Sequence, residues 1–177
     1  MATLKEQMMR YSPAAFALAS LALVTASTGL SAPPAPLDPR AAVLVAQGRQ
    51  AMLAGQPDTA IDNFESALTI QPGHVSIYLN LGEATRKQGM HGKALHYYRE
   101  ALKIDPNNQY AISGEGQALV EKGAVDKARR NLARLEQLCG DLSCAPASQL
   151  SAAIARGPAP QVVTAAQIEP KLEVSAN

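Results

Sequence analysis

Tryptophan is absent from the 177 residues, and five Tyr and two Phe bring the aromatic share to only 4%. A core without large rings, filled by Ala and Leu, suits close-packed helices better than a sheet. Charge of one sign is lacking too: 16 Lys and Arg face 15 Asp and Glu, a net of +1, so no basic footprint for nucleic acid exists. Catalytic patterns are also missing. There is no H-E-x-x-H, no G-x-S-x-G, no phosphate-cradling glycine loop and no paired carboxylates. The "GEGQA" at Gly114 lacks the preceding strand that a dinucleotide loop needs. His74, His91 and His96 stand apart from any ligand cluster and read as solvated surface residues. These absences argue against an enzyme, and no cofactor or metal is expected.

Long hydrophobic runs are scarce, and the one at the N-terminus is short. Lys5 and Arg10 precede the apolar stretch from Pro13 to Ala26, and Val24-Thr25-Ala26 gives a small-residue cleavage pattern. That order of basic, apolar and small residues is the order of a secretory signal. Its 14 residues fall short of the ~20 that a membrane span needs. The reading is a signal peptide over 1–26, extendable to 32, with an uncleaved inner-membrane anchor as the alternative. Its removal leaves 14 basic and 14 acidic residues, a chain close to neutral. A Pro-rich linker over 27–40 follows, its Pro33, Pro34, Pro36 and Pro39 favouring extended chain. Beyond Gly157, Pro158 and Pro160, residues 157–177 read as a disordered tail.

What fills the middle is a repeat. Gly48, Gly82 and Gly116 are spaced by 34 residues, as are Gly55, Gly89 and Gly123, and Ala60, Ala94 and Ala128. Ala67 and Ala101, and Pro72 and Pro106, keep the same interval, and Phe64, Tyr98 and Leu132 form a further row. Several columns in one register are far stronger evidence than any single motif. Each unit reads as two helices: one stopped by a glycine that can adopt a left-handed C′ conformation, the next closed in the first two units by proline. Helices of ~14 residues, ~20 Å long, are unstable alone and must lean on neighbours. The small residues mark where helices cross at short range, and Phe64, Tyr98 and Leu132 are expected to fill the gaps.

The signature Tyr78, Leu81, Gly82, Ala94, Tyr98, Ala101 and Pro106, closed by "IDPNN", resembles the tetratricopeptide repeat family. The resemblance covers three units, 41–74, 75–108 and 109–142. In the first, Gln47 and Ala51 replace the usual Leu and Tyr; in the third, Glu115 and Leu135 depart from the pattern. It implies an all-α, right-handed superhelix of three helix-turn-helix repeats. A capping helix over 146–156, with Leu150, Ala153 and Ile154 at helical spacing, would cover the last apolar face.

The resemblance further implies a concave groove lined by the first helix of each unit. Its predicted partner-binding residues are Arg49, Met52, Leu79, Asn80, Glu83, Arg86, Lys87, Tyr110 and Gln117, with Val45 and Val120 at equivalent positions. The partner is expected to be a protein or peptide of mixed apolar and charged character. A clamp for a partner's terminal carboxylates fits poorly, because Val45 and Arg49 stand where such clamps carry Lys and Asn. The alternative is a structural component that self-associates through its repeat faces. Cys139 and Cys144 could not meet within one unbroken helix, but Gly140 and Asp141 let the chain fold back. In an oxidising compartment a disulfide is expected, with two free thiols as the alternative. Signal, cysteine pair and family resemblance together place the chain in a bacterial cell envelope, as a periplasmic scaffold.

Overall fold

The computed structural model describes residues 36–140 and 144–158. Among them are seven helices and no strand: α1 (Pro39–Leu53), α2 (Pro57–Ile70), α3 (Val75–Lys87), α4 (His91–Ile104), α5 (Gln109–Glu121), α6 (Val125–Cys139) and α7 (Ala145–Arg156). The pairs α1/α2, α3/α4 and α5/α6 each pack through a short turn, and α2 meets α3 as α4 meets α5. Turns of this length make the two helices of a pair antiparallel. Contacts also run from α1 to α3 and from α3 to α5, so the first helices of successive units share one face.

The boundaries follow local chemistry. Helix α1 begins two residues inside the expected linker, because Pro39 occupies the first helical position and the Asp38 carboxylate accepts from the Arg40 amide. Proline is pre-organised there, where its missing N–H has no partner to lose. Asn108 caps α5 by accepting from the Ala111 amide. Gly55, Gly89 and Gly123 end the first helices with φ of 70°, 77° and 79°, a conformation a Cβ would strain. The cap α7 starts at Ala145, one residue before the expected 146. The proposed signal over 1–26, most of the linker, and the tail from 159 onwards lie outside the described residues.

Small residues and rings interlock as columns. A Cβ on Gly82 would lie 2.7 Å from the Tyr98 ring, and one on Gly48 or Gly114 would likewise collide with Phe64 or Tyr98. Tyr98 on α4 is therefore seated between α3 and α5, gripped by a glycine from each. That is why large residues are missing from those positions. The glycine pair at 114 and 116 is helical, and its glycines are packing notches.

The third unit departs from the expected scheme. Leu132 is only partly buried, and the notch at Gly116 is filled by Leu150 of α7, whose methyl carbon would be 2.6 Å from an added Cβ. Among the described residues the unit is followed by one helix rather than a pair, so the cap supplies the missing wedge. Leu135 is fully buried beside Leu150, taking space that Ala leaves elsewhere in its column. Glu115 is kept by partners: Arg99 donates to it at 2.9 Å and Asn131 at 3.0 Å. The Ser113 hydroxyl donates to the Pro146 carbonyl at 2.8 Å, tying α5 to the start of α7. At the α6–α7 corner, Cys139 and Cys144 have Cα atoms 6.0 Å apart and sulfurs within bonding distance.

Candidate functional site

Helices α1, α3 and α5 line a groove whose walls carry Arg49, Leu79, Asn80, Glu83, Arg86, Tyr110 and Gln117. A second hollow continues it past Arg49, Asn80 and Glu83 to Met52, Leu53 and Lys87, with Phe64 beneath. All nine residues predicted from the repeat positions thus lie along one continuous depression. Val45 and Val120 do not: both are buried, at 3% and 2% exposure, and belong to the core. Ser113 is also buried, its hydroxyl committed to α7, and Gly114 only forms the groove floor.

The charges in the groove differ in availability. Arg86 donates to Glu121 on α5 at 2.5 Å and to Glu83 on its own helix at 2.9 Å. Burial alone would weaken its charge, but the two carboxylates outweigh that and hold its pKa above the ordinary value. Only 16% of the side chain is exposed, so Arg86 is a structural strut between α3 and α5. Lys87 lies 3.6 Å from Glu83 as an i,i+4 pair. Arg49 touches only the Asn80 side-chain carbonyl, at 3.3 Å, and remains exposed. It is the groove cation, among the described residues, without a carboxylate partner.

His91 corrects the sequence reading. Its Nδ1 sits 3.0 Å from the second oxygen of Glu121, and both atoms are buried without a hydrogen bond among the described residues. The α4 start is thereby drawn into the Arg86–Glu121 cluster. Sequence reasoning missed this because His91 and Glu121 are 30 residues apart and fall on different repeats.

The groove also has a polar and an aromatic part that can meet a peptide. Tyr110 is 62% exposed at its edge, free to cover an apolar side chain. Asn80, Gln117 and Gln149 line the groove with amides; Asn80 already donates to the Ser76 carbonyl at 2.6 Å and Gln117 to the Ser113 hydroxyl at 3.2 Å, each keeping a second N–H for an extended backbone. Gln149 comes from α7 and was not anticipated. No repeat column reaches into the cap, so nothing in the sequence pattern marks it. Tyr98 reaches the groove with its hydroxyl 3.3 Å from Glu83, and burial pushes its pKa well above the ordinary tyrosine value.

Two profiles described as tetratricopeptide repeat match residues 39–107 and 85–138. The chain belongs to the tetratricopeptide repeat (TPR) family. Among curated proteins it is 43% identical over 54 residues to the Arabidopsis thaliana TPR domain-containing protein PYG7, chloroplastic, covering 30% of this chain and 18% of that protein. It is 32% identical over 89 residues to small glutamine-rich TPR-containing protein 2 of Mycosarcoma maydis, covering 50% and 25%. The chain thus spans a quarter or less of these relatives. Among solved structures, the Sgt2 TPR domain of Aspergillus fumigatus superposes with a TM-score of 0.61 at 24% identity, covering 74% of this chain and 94% of that one. The first TPR of Spaghetti (RPAP3), bound to the HSP90 peptide SRMEEVD, gives 0.59 at 20%, covering 66% and 91%. The TPR2B domain of yeast Sti1, in a complex with pHsp70, gives 0.61 at 16%, covering 67% and 98%. These similarities establish the TPR fold.

Proposed function

We propose that this TPR domain is a binding scaffold whose groove holds an extended segment of a partner protein. One observation carries the reading. The groove neutralises most of its own charge yet leaves Arg49 and Tyr110 exposed at separate points along its length. A carboxylate on the partner would pair with Arg49, and an apolar side chain would rest on Tyr110 and Leu79. A second apolar side chain fits the hollow of Met52, Leu53 and Phe64, beside Lys87. The Asn80, Gln117 and Gln149 amides would take the backbone between. The TPR neighbour bound to the HSP90 peptide SRMEEVD supports the mode.

The test is capture of the partner by the full chain after cross-linking. Arg49→Glu combined with Tyr110→Ala should remove the captured species, while Arg130→Glu on the exposed side of α6 should not. Capture that survives the groove pair would overturn the reading. Arg86 is left out of this test because its loss would unpair Glu121 and disturb the fold.

We further propose that the scaffold works outside the cytoplasm, in the envelope, with Cys139 and Cys144 oxidised. The N-terminal basic-apolar-small pattern and the approach of the two sulfurs support this. Alkylation of the denatured, unreduced chain should then modify neither cysteine. A fusion of residues 1–32 to a reporter active only after export should be active; an inactive fusion would return the chain to the cytosol.

A further inference from the structure

We propose that two copies of the chain associate face to face through the outward side of α1. Val43, Gln47 and Gln50 lie on this side; 34 residues on, the equivalent positions are Ile77, Leu81 and Ala84. Those three are fully buried in the cluster that α3 shares with α1 and α2. In the third unit the same columns hold Ala111, Glu115 and Ala118, where both alanines are fully buried and Glu115 pairs with Arg99 of the preceding unit. So the register that seats α3 and α5 on a neighbour turns the same face of α1 outward. There Val43 is 57% exposed, and Gln47 and Gln50 are exposed with it.

The chemistry of this face fits a second copy. Val43, Ala46 and Ala54 form an apolar stripe at helical spacing, rimmed by Gln47, Gln50 and Asn63. None of the residues lining the hollow is charged, although 18% of the chain is. About a two-fold axis each residue approaches its own counterpart, where like charges would repel. Amides avoid that, because each can donate to and accept from its twin. Residues Pro36–Asp38 do not line the hollow. Gln71, at the α2–α3 turn, accepts from the Asp38 amide at 2.7 Å and donates to the Pro36 carbonyl at 3.2 Å.

The geometry also selects the symmetry. Head-to-tail stacking would need an open apolar face at the other end, but α7 covers α5 and α6 there with Leu150 and Ala153 buried. Among the described residues the α1 end is the open one, so the contact is isologous and closes at two copies. The groove shares no lining residue with this face.

Sedimentation of the full chain over a range of concentrations tests this, together with a photo-cross-linker at Gln47. A reversible dimer is expected, with adducts joining α1 of one copy to α1 or Asn63 of the other. Gln50→Glu, which places two carboxylates across the axis, should raise the dimer dissociation constant at least about tenfold. Tyr110→Ala, which strips the groove, should leave it unchanged, so a failure here is distinct from a failure of peptide capture. A chain monomeric at every concentration overturns the proposal. So does a dimer indifferent to Gln50→Glu, or a cross-link confined to one copy, including one to residues 1–35.

Discussion

At the scale of single residues, the fold depends on glycines that make room for rings. Tyr98 is held between Gly82 and Gly114, and an added methyl at Gly82 would overlap the ring carbons. Gly82→Ala should therefore destabilise the domain by about 1–3 kcal/mol, the usual cost of overpacking, despite alanine's better helix propensity. Denaturant unfolding measures it; a stabilised variant would show that the ring can move aside. The Tyr98 hydroxyl gives a pH signature. Because burial raises its pKa above the ordinary 10.0, the folded state holds the phenolic proton more tightly than the unfolded chain. Stability from this group is complete below pH 10.0 and is lost as pH rises above it. Tyr98→Phe should change stability at neutral pH by less than about 1 kcal/mol and soften the alkaline decline. An unchanged alkaline limb would assign that decline to other groups.

At the scale of elements, the sequence made most helices legible because each column repeats. The glycines at 55, 89 and 123 and the prolines at 72 and 106 place helix ends within a residue or two. Two features escaped that logic. Pro39 reads as linker because proline opposes a helix interior, whereas the first turn accepts it. Register assigns the notch at Gly116 to Leu132, but among the described residues no further pair follows and Leu150 of the cap takes the place. A column predicts contacts only while the next unit exists. Leu150→Ala should then cost about 2–5 kcal/mol, the range for a fully buried leucine. It should also speed hydrogen exchange in α5, which α7 covers. Replacing Cys139 and Cys144 with Ser should cost about 2 kcal/mol if they are bonded, as a loop this short implies. Equal stability of the Ser variant and the unreduced parent would show that no bond forms.

At the scale of the whole molecule, the stacked pairs set the first helices side by side, and the groove is a consequence of that stacking. Its location was legible, because helix positions that face the inner side recur in every unit. Which side chains are available there was not. Arg86 reads from sequence as a partner-binding residue, but Glu121 arrives from the next repeat and Glu83 from one turn earlier to neutralise it. His91 reads as a solvated residue and is instead drawn against Glu121. Pairings between charges some 30 residues apart depend on how two units rotate against each other, and no periodicity encodes that. What stays accessible is Arg49 beside Leu53 at one point and Tyr110 at another, with amides between.

The most direct measurement places a photo-cross-linking residue at Tyr110 in one version of the full chain and at Arg130 in another, expressed where the protein works. The account predicts a discrete partner adduct from position 110, lost when Arg49→Glu is added, and none from position 130. Adducts of equal yield from both positions, or an adduct at 110 that ignores Arg49→Glu, would contradict it.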